Sequence, residues 1–311
     1  MIEIGGIQVP FATKKLIEIP VARLPTQTMI SLPVIVINGI CQGPRLWLSA
    51  AIHGDELNGV EIIHRVLQYI IPEQLRGTII AVPVVNVFGF IEQSRYLPDR
   101  RDLNRSFPGS SRGSLASRLA NIFMEEIVNQ ATHGIDLHTA SAHRINLPQI
   151  RANLDDPQTY ACAKAFGASI MIHSQTRDGS LRQAATRQGI PVLLYEAGEA
   201  LRFNTHAIRV GVAGILRVIA TLDMYTFSAR FAAIDPIEVR ETRWVRASRS
   251  GILKLKVALG DQVSQKQTLG IIADAFGETS TQLRSPCDGL VIGNQQNPLV
   301  SQGDGIVHLA V

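Results

Sequence analysis

Short apolar runs alternate with helically patterned segments between about residues 30 and 225, and this alternation constrains the fold most. The apolar runs, which are typical of buried strands, are Val34–Asn38, Leu46–Ile52, Thr78–Val85, Gly134–Leu137 and Pro191–Tyr195. The spacing of apolar residues predicts helices at Glu56–Ile71, Ser114–Val128, Pro157–Phe166 and His206–Leu222. The alternation therefore predicts an α/β fold, in which helices cover both faces of one sheet.

The chain changes character after about residue 236. Short β-like pieces that are punctuated by glycine, such as Gly251–Val257 and Gly289–Gly293, replace the helical pattern. We therefore predict an α/β domain over residues 1–235 and a small all-β, barrel-like domain over residues 236–311, with the boundary between Phe227 and Trp244. We interpret the second domain as a structural or oligomerising module that also narrows the mouth of an active site. An oligomerising module would make the protein a homo-oligomer.

The composition excludes several classes of protein. Among 311 residues, 46% are hydrophobic and 18% are charged, which excludes a disordered chain. The net charge of +4 is scattered, without a compact basic run, so we expect no nucleic-acid partner. No apolar stretch approaches the ~20 residues of a membrane span, and the start of the chain lacks the pattern of a signal peptide. With three widely separated cysteines, these features predict a soluble cytoplasmic protein.

The segment Ala50–Gly59 carries the most informative pattern. His53 and Glu56 stand three residues apart where a strand enters a helix, which is where open α/β sheets bind their ligands. His138 also follows a strand-like run, and two histidines with one glutamate form a common catalytic zinc set that leaves a position for water. Alternatively, His53 is a turn residue and Glu56 interacts with the helix dipole. Asp136 is either an orienting partner of His138 or a turn carboxylate.

Five motifs that occur in order carry a family resemblance. They are His53-x-x-Glu56, Arg95-Tyr96, Asp102-Leu-Asn-Arg-Ser-Phe-Pro-Gly109, Asp136-Leu-His138 and Tyr195-Glu-Ala-Gly198. Over roughly residues 30–225 the chain resembles the succinylglutamate desuccinylase/aspartoacylase family, a branch of the zinc carboxypeptidase-like fold, which implies a mixed sheet. The tail resembles the C-terminal domain of that family and a lipoyl- or biotinyl-carrier-like barrel. No lysine of the tail has the setting of a carrier lysine.

The resemblance implies a metal centre and a base. His53, Glu56 and His138 match the zinc ligands of the family, and Glu196 matches its general base, which acts on zinc-bound water. A carboxylate beside a bound cation can take a proton from water and deliver it to the leaving amine, so the chemistry of these residue types agrees. Glu199 competes with Glu196 for the role of the base. We prefer Glu196 because it directly follows an apolar strand.

The resemblance also implies residues that bind substrate. Arg95 matches the arginine that polarises the scissile carbonyl, and a guanidinium there would stabilise charge that develops in the transition state. Arg100 and Arg101 compete with Arg95 in the same basic loop. Asn104 and Arg105 match a pair that grips a substrate carboxylate, a task to which the planar guanidinium is suited. Alternatively, Asn104 only forms a turn.

Together, these residues predict a zinc-dependent amidohydrolase that acts on linear amides. Its substrate would be a small N-acylated amino acid, such as an N-succinyl or N-acetyl amino acid. Two alternatives remain open, namely a metallocarboxypeptidase that acts on short peptides and a zinc-binding homologue without catalytic activity. Arg187 either contributes to substrate binding or lies on a surface helix.

Overall fold

The computed structural model describes residues 1–228 and 235–311. Its helices, in chain order, are α1 (Asn58–Leu67), α2 (Val87–Ile91), α3 (Leu115–Glu126), α4 (Pro157–Phe166), α5 (Leu181–Arg187) and α6 (Thr205–Thr221). Short 3-10 turns occupy Pro72–Gln74, Leu103–Arg105 and Val128–Gln130. Among the described residues, no helix combines the length and apolarity that a membrane span requires.

The strands of the described residues are numbered along the chain. They are β1 (Ile2–Ile4), β2 (Ile7–Val9), β3 (Thr13–Arg23), β4 (Met29–Asn38), β5 (Cys41–Ala50), β6 (Arg76–Val82), β7 (His133–Ala140), β8 (Arg144–Ala152), β9 (Ile170–His173), β10 (Val192–Glu199), β11 (Ile237–Val239), β12 (Thr242–Arg246), β13 (Gly251–Leu255), β14 (Gln262–Val263), β15 (Thr268–Ala273), β16 (Ser280–Arg284), β17 (Gly289–Gln295), β18 (Leu299–Val300) and β19 (Gly305–Ala310).

One large mixed sheet organises the chain. Its strand order is β12-β19-β17-β8-β10-β7-β5-β6-β4-β3, with β9, β11 and β14 attached beside this path. The central strands β6, β5, β7 and β10 run parallel, whereas β4 and β8 flank them in the antiparallel sense. The predicted mixed α/β sheet is therefore confirmed.

Helices cover both faces of this sheet, as the sequence predicts. Successive residues of a strand point to opposite faces, and β5 shows the consequence. Leu48 packs into the apolar cluster that contains α1, α4 and α6, whereas Trp47 packs into a second cluster with α3 and α5. Both side chains are fully buried. The α/β interior thus consists of two apolar layers that are separated by the sheet.

The tail from β11 onward consists of strands only, and it has an apolar core of its own. The large sheet continues into it, because β17 pairs with β8 and β11 pairs with β9. A separate four-stranded sheet has the order β16-β15-β13-β18. The domain division at residues 235 and 236 stays a prediction, and the predicted boundary region includes residues 229–234, which lie outside the described residues.

Two expectations about single elements were wrong. The first helix spans Asn58–Leu67 rather than Glu56–Ile71, because the residues before it form a turn and Gln68 caps its end. The stretch between Leu137 and Pro157, which we interpreted as a long loop, contains β8. This strand escapes a search for apolar runs because Arg144, with other polar residues, faces a cavity rather than the core.

Candidate active site

The carboxyl ends of three neighbouring parallel strands meet at one edge of the sheet. In the register of β7 and β10, His138 is the direct neighbour of Glu196, and in that of β5 and β7, Ser49 neighbours Asp136. His53 lies three residues beyond the end of β5. Because parallel strands end at the same edge, residues that are distant in sequence converge there, as the sequence predicts for His53 and His138.

The turn after β5 is held by a close approach of the backbone. A Cβ atom at Gly54 would lie 2.0 Å from the carbonyl carbon of Gly89 in α2, so only glycine fits there. Asn86, at the start of α2, donates its backbone N–H to the carbonyl of Ala51. Glu56 donates its backbone N–H to the carbonyl of His53, which closes the turn. The segment between β5 and α1 is thereby fixed against α2.

His53, Glu56 and His138 form one compact buried group. Their ligating atoms all lie within 4.8 Å of one another. Nδ1 of His53 lies 2.7 Å from Oε1 of Glu56, and Nδ1 of His138 lies 2.7 Å from Oε2 of the same carboxylate. The backbone N–H of Thr139 also donates to Oε2. The structure thus brings together the three residues that the sequence predicts as ligands.

Each histidine has a second carboxylate behind it. Nε2 of His138 lies 2.8 Å from Oδ2 of Asp136, whose Oδ1 accepts a 2.7 Å hydrogen bond from the hydroxyl of Ser49. Nε2 of His53 lies 3.2 Å from Oδ1 of Asp102. Of the two roles considered for Asp136, this geometry matches the orienting partner.

The electrostatics of the group follow from burial and from the charges packed into it. Burial by itself lowers the pKa of His138, but the charges of Asp136 and Glu56 and their hydrogen bonds raise this pKa well above its usual value. Burial raises the pKa of Glu56, whereas His53 and His138 hold it well below its usual range. Glu56 is therefore an ionised carboxylate between two imidazoles. The carboxylates of Glu56, Asp136 and Asp102 thus favour positive charge on the two rings.

The donor set fits a zinc ion by its chemistry. Two imidazoles and one carboxylate are a common set of protein ligands for catalytic zinc, in which a fourth position is left for water or substrate. The Nδ1 atoms of both histidines face Glu56, and each Nε2 faces a carboxylate that can accept its proton. Such an acceptor fixes the ring orientation and the tautomer of a metal ligand.

A cavity of about 480 Å³ opens from this group. Glu196 lines it, and the carboxylate of Glu196 accepts a 2.6 Å hydrogen bond from Nδ2 of Asn146, with Nε of Arg151 3.7 Å away. Glu199, the competing residue for the base, lines a different cavity and pairs with Arg202 at 3.0 Å. The geometry therefore favours Glu196 over Glu199.

Arg95 lines the cavity beside the triad. Its Nη2 donates to Oδ2 of Asp102 at 3.0 Å, and its Nη1 lies 3.6 Å from Oε1 of Glu56. Asp102 thus holds both Arg95 and His53. Although burial raises the pKa of Asp102, His53 and then Arg95 hold it below its usual range. The competing Arg100 and Arg101 are exposed and do not line this cavity.

Asn104 and Arg105 lie in the 3-10 turn that Asp102 caps, and both line the cavity. The side-chain oxygen of Asn104 accepts a 2.9 Å hydrogen bond from the backbone N–H of Leu181. Because a backbone N–H must meet an acceptor, this contact fixes which end of the amide is oxygen. Asn104 therefore keeps its NH₂ group for other partners, and NH₂ is the end that can donate to a carboxylate.

Several cavity residues escaped the sequence analysis. They are Arg144, Asn146 and Arg151 of β8, Arg182 of α5 and Trp244 of the tail. The β8 residues could have been found from the alternation of Arg144, Asn146 and neighbouring apolar residues, had the stretch been considered as a strand. Arg187, which we considered for substrate binding, is exposed and lies outside the lining of this cavity, as expected for a surface helix. Nothing local in the sequence marks Trp244.

Comparisons with known proteins agree with the resemblance expected from the sequence. Residues 42–222 match the succinylglutamate desuccinylase/aspartoacylase catalytic domain. The chain is 26% identical over 294 residues to an N-alpha-acetyl-L-2,4-diaminobutyric acid deacetylase of Halomonas elongata. The matched region covers 90% of this chain and 86% of that protein.

Solved structures extend this likeness over the whole chain. A succinylglutamate desuccinylase/aspartoacylase from Rhodobacter sphaeroides has 27% sequence identity and a TM-score of 0.85, with 97% of both chains covered. The product-bound ectoine utilization protein EutE (DoeB) of Ruegeria pomeroyi has 22% identity and a TM-score of 0.88, with 98% of this chain and 97% of that chain covered. The second of these likenesses concerns the fold alone.

Proposed function

The chain belongs to the succinylglutamate desuccinylase/aspartoacylase family, and we propose that it is a zinc-dependent deacylase that hydrolyses the amide bond of N-acyl amino acids. The observation that carries this proposal is the buried group of His53, Glu56 and His138, which opens into a cavity that Glu196 lines. The similarity to a deacetylase of an N-acetyl diamino acid supports the reaction type. The products would be a carboxylic acid and a free amino acid.

His53, Glu56 and His138 would hold the zinc ion. When bound there, zinc supplies Lewis-acid chemistry, because it polarises a carbonyl and lowers the pKa of a coordinated water. Asp136 and Asp102 would orient the two rings for this ion by accepting hydrogen bonds from their Nε2 atoms.

Glu196 moves the protons of the reaction. Its carboxylate takes a proton from the water that attacks the amide carbon, and it then delivers this proton to the nitrogen of the leaving amine. Asn146 and Arg151 hold this carboxylate in place in the cavity. The guanidinium of Arg95, which Asp102 orients, donates to the carbonyl oxygen as negative charge develops on it.

Asn104 and Arg105 would bind the carboxylate of the amino acid through side-chain N–H donors. The amide NH₂ of Asn104 is directed by the bond between its oxygen and Leu181, and the guanidinium of Arg105 provides a planar pair of donors. The cavity volume of about 480 Å³ suits a small molecule, which favours an N-acyl amino acid over a peptide chain.

A panel of N-succinyl, N-acetyl and N-formyl amino acids, with short peptides beside them, tests the proposal by the release of free amine from zinc-loaded protein. We expect amine release from at least one N-acyl amino acid. Release from peptides alone would favour a carboxypeptidase. Zinc binding with no release from any compound would favour a non-catalytic homologue.

A matched pair of variants tests the base. Glu196→Gln should keep zinc and the fold but lower kcat by about 10²-fold or more, because the attacking water loses its proton acceptor. Glu199→Gln, three residues further along the same strand, should keep activity close to that of the wild type. The opposite result, with Glu199→Gln inactive and Glu196→Gln active, would show that the base is assigned to the wrong residue.

A further inference from the structure

The cavity carries more positive charge than one substrate carboxylate can neutralise. Its arginines are Arg95, Arg105, Arg144, Arg151, Arg177 and Arg182. Arg95 pairs with Asp102, and Arg151 lies close to Glu196. Within residues 1–228 and 235–311, no carboxylate lies at ion-pair distance from the other arginines of this set. Arg105 and Arg177 are exposed, and Arg182 already donates to two backbone carbonyls. Arg144 is half-buried, and a half-buried guanidinium without a carboxylate partner favours an anionic ligand.

Arg144 differs from the other arginines of the cavity because its guanidinium contacts an aromatic ring of the tail. It is the first residue of β8, opposite Gln295 of β17, and it lies where the large sheet continues into the tail. Its guanidinium carbon lies 5.1 Å from the ring centroid of Trp244 in β12. A guanidinium over an indole ring is attracted by the π electrons and keeps its N–H edges free for a ligand.

The indole ring of Trp244 packs against two residues of β19, His308 and Gly305. Its ring stacks on His308 with a centroid distance of 4.5 Å and an interplanar angle of 3°. A Cβ atom at Gly305 would lie 2.8 Å from the indole ring, so the ring can occupy this space only because residue 305 has no side chain. Trp244 and His308 are direct neighbours in the register of β12 and β19. The indole therefore has a defined place at the cavity wall.

His308 is suited to stacking rather than to hydrogen bonding. It is only 3% exposed, and its Nδ1 has no hydrogen-bond partner among the residues that the structure describes. Burial, followed by the charges of Arg151 and Arg144, lowers the pKa of His308 to about 3. A neutral ring can lie flat against the indole without adding a charge that would repel Arg144.

We propose that Trp244 positions Arg144 to bind a second anionic group of the substrate, in addition to the carboxylate at Asn104 and Arg105. This inference rests on the proposed function, since it concerns the same cavity. It gives the tail a part in substrate selection, because both Trp244 and the supporting His308 belong to it. The second anionic group is a carboxylate, carried either by the acyl group or by the amino-acid side chain.

Three substrates distinguish these sources. N-acetyl-L-alanine has one carboxylate, N-acetyl-L-glutamate carries a second on the amino acid, and N-succinyl-L-alanine carries a second on the acyl group. We expect the wild-type enzyme to prefer one dianionic substrate over N-acetyl-L-alanine. Arg144→Ala should lower this preference in kcat/KM about tenfold, mainly through KM, because a charge-assisted pair is lost. Trp244→Leu should lower it about threefold, and Trp244→Phe, which keeps an aromatic face, should restore part of the loss.

Arg243→Ala is the matched control. It removes an arginine next to Trp244 on β12, one that is 48% exposed and pairs with Glu241, and it should leave the preference unchanged. Thermal unfolding of each variant shows whether the fold is kept. The proposal is overturned if Arg144→Ala or Trp244→Leu changes KM equally for substrates with one and two carboxylates, or changes it for none.

A binding measurement separates this inference from the proposed function. Calorimetric titration of zinc-loaded Glu196→Gln with the same three compounds needs no turnover. If no compound is hydrolysed by the wild type but a dianionic compound binds through Arg144, the proposed reaction fails and the second anion site stands. If hydrolysis proceeds but Glu196→Gln binds the dianionic compounds equally well with and without the added Arg144→Ala substitution, the second anion site fails and the proposed reaction stands.

Discussion

Replacement of Asp136 tests whether the proposed zinc site depends on the carboxylate that contacts Nε2 of His138. Asp136 is fully buried, accepts a hydrogen bond from Ser49 at 2.7 Å and lies 2.8 Å from Nε2 of His138. In Asp136→Asn the side chain can still place its oxygen at Nε2 of His138 and its NH₂ at the hydroxyl of Ser49. The substitution therefore removes the negative charge but keeps the shape.

The expected loss follows from these contacts. A charge-assisted hydrogen bond is about twice as strong as a neutral one, so Asp136→Asn should lose about 1 to 1.5 kcal/mol of zinc binding, or about tenfold in Kd. Asp136→Ala removes both acceptors and leaves the ring of His138 free to turn. We expect it to lose about 100-fold in zinc affinity, at the upper end of the range for orienting residues.

Competition between the protein and a chromophoric zinc chelator measures this affinity directly. Asp288→Asn, which removes an exposed tail carboxylate that accepts from the backbone N–H of Gln265, serves as the control and should bind zinc like the wild type. The reasoning is refuted if Asp136→Asn and Asp136→Ala both bind zinc as tightly as the wild type while they remain folded.

Asp102 allows the same test at the other histidine. Asp102→Asn should weaken zinc binding through His53 by a smaller factor, since its 3.2 Å contact to Nε2 is longer and less buried than the 2.8 Å contact of Asp136. Because both histidines contact the same carboxylate of Glu56, the two losses need not add in free energy, but the double variant should bind zinc more weakly than either single variant. A double variant no weaker than either single one would contradict a separate contribution from each carboxylate.

Two further substitutions test the tail and the turn. His308 has a pKa of about 3 in the folded chain, whereas its ordinary value is 6.5. Between these two pH values the unfolded state binds more protons than the folded state. The free energy of unfolding therefore falls as the pH falls from 6.5 to about 3. His308→Phe, which keeps a ring on Trp244, should reduce this fall in urea-unfolding free energy, and an equal fall in both proteins would contradict the assignment. Gly54→Ala should lower the free energy of unfolding by about 3 kcal/mol and reduce zinc content, because its Cβ would meet Gly89 at 2.0 Å. Unchanged stability and zinc content would contradict it.

Local signals account for what the sequence predicted well. The helix Pro157–Phe166 is predicted with its observed ends, and the structure shows a local signal at each end, namely Asp156 with proline at the start and Gly167 at φ 64° at the end. His53, Glu56 and His138 were found together because each follows an apolar strand-like run, and parallel strands end at one edge. Both signals lie within a few residues of the feature that they predict.

Contacts between distant segments could not be predicted in this way. Asp102 lies in the Asp-Leu-Asn-Arg motif, but its contact with His53 joins residues 49 positions apart through a fold that no local pattern encodes. β8 was missed because its polar residues face a cavity, which exists only after the sheet has formed.

The sequence by itself determined the residue types of the candidate metal group and their positions near the ends of strand-like runs, since both lie in short segments. Only the tertiary structure decided which side chains surround the substrate. Trp244 reaches the cavity because β17 pairs with β8 and carries the tail along the same sheet, so that β12 ends beside the site. Strand pairing between remote segments depends on the packing of the whole chain, and it therefore leaves no mark on the residues around Trp244.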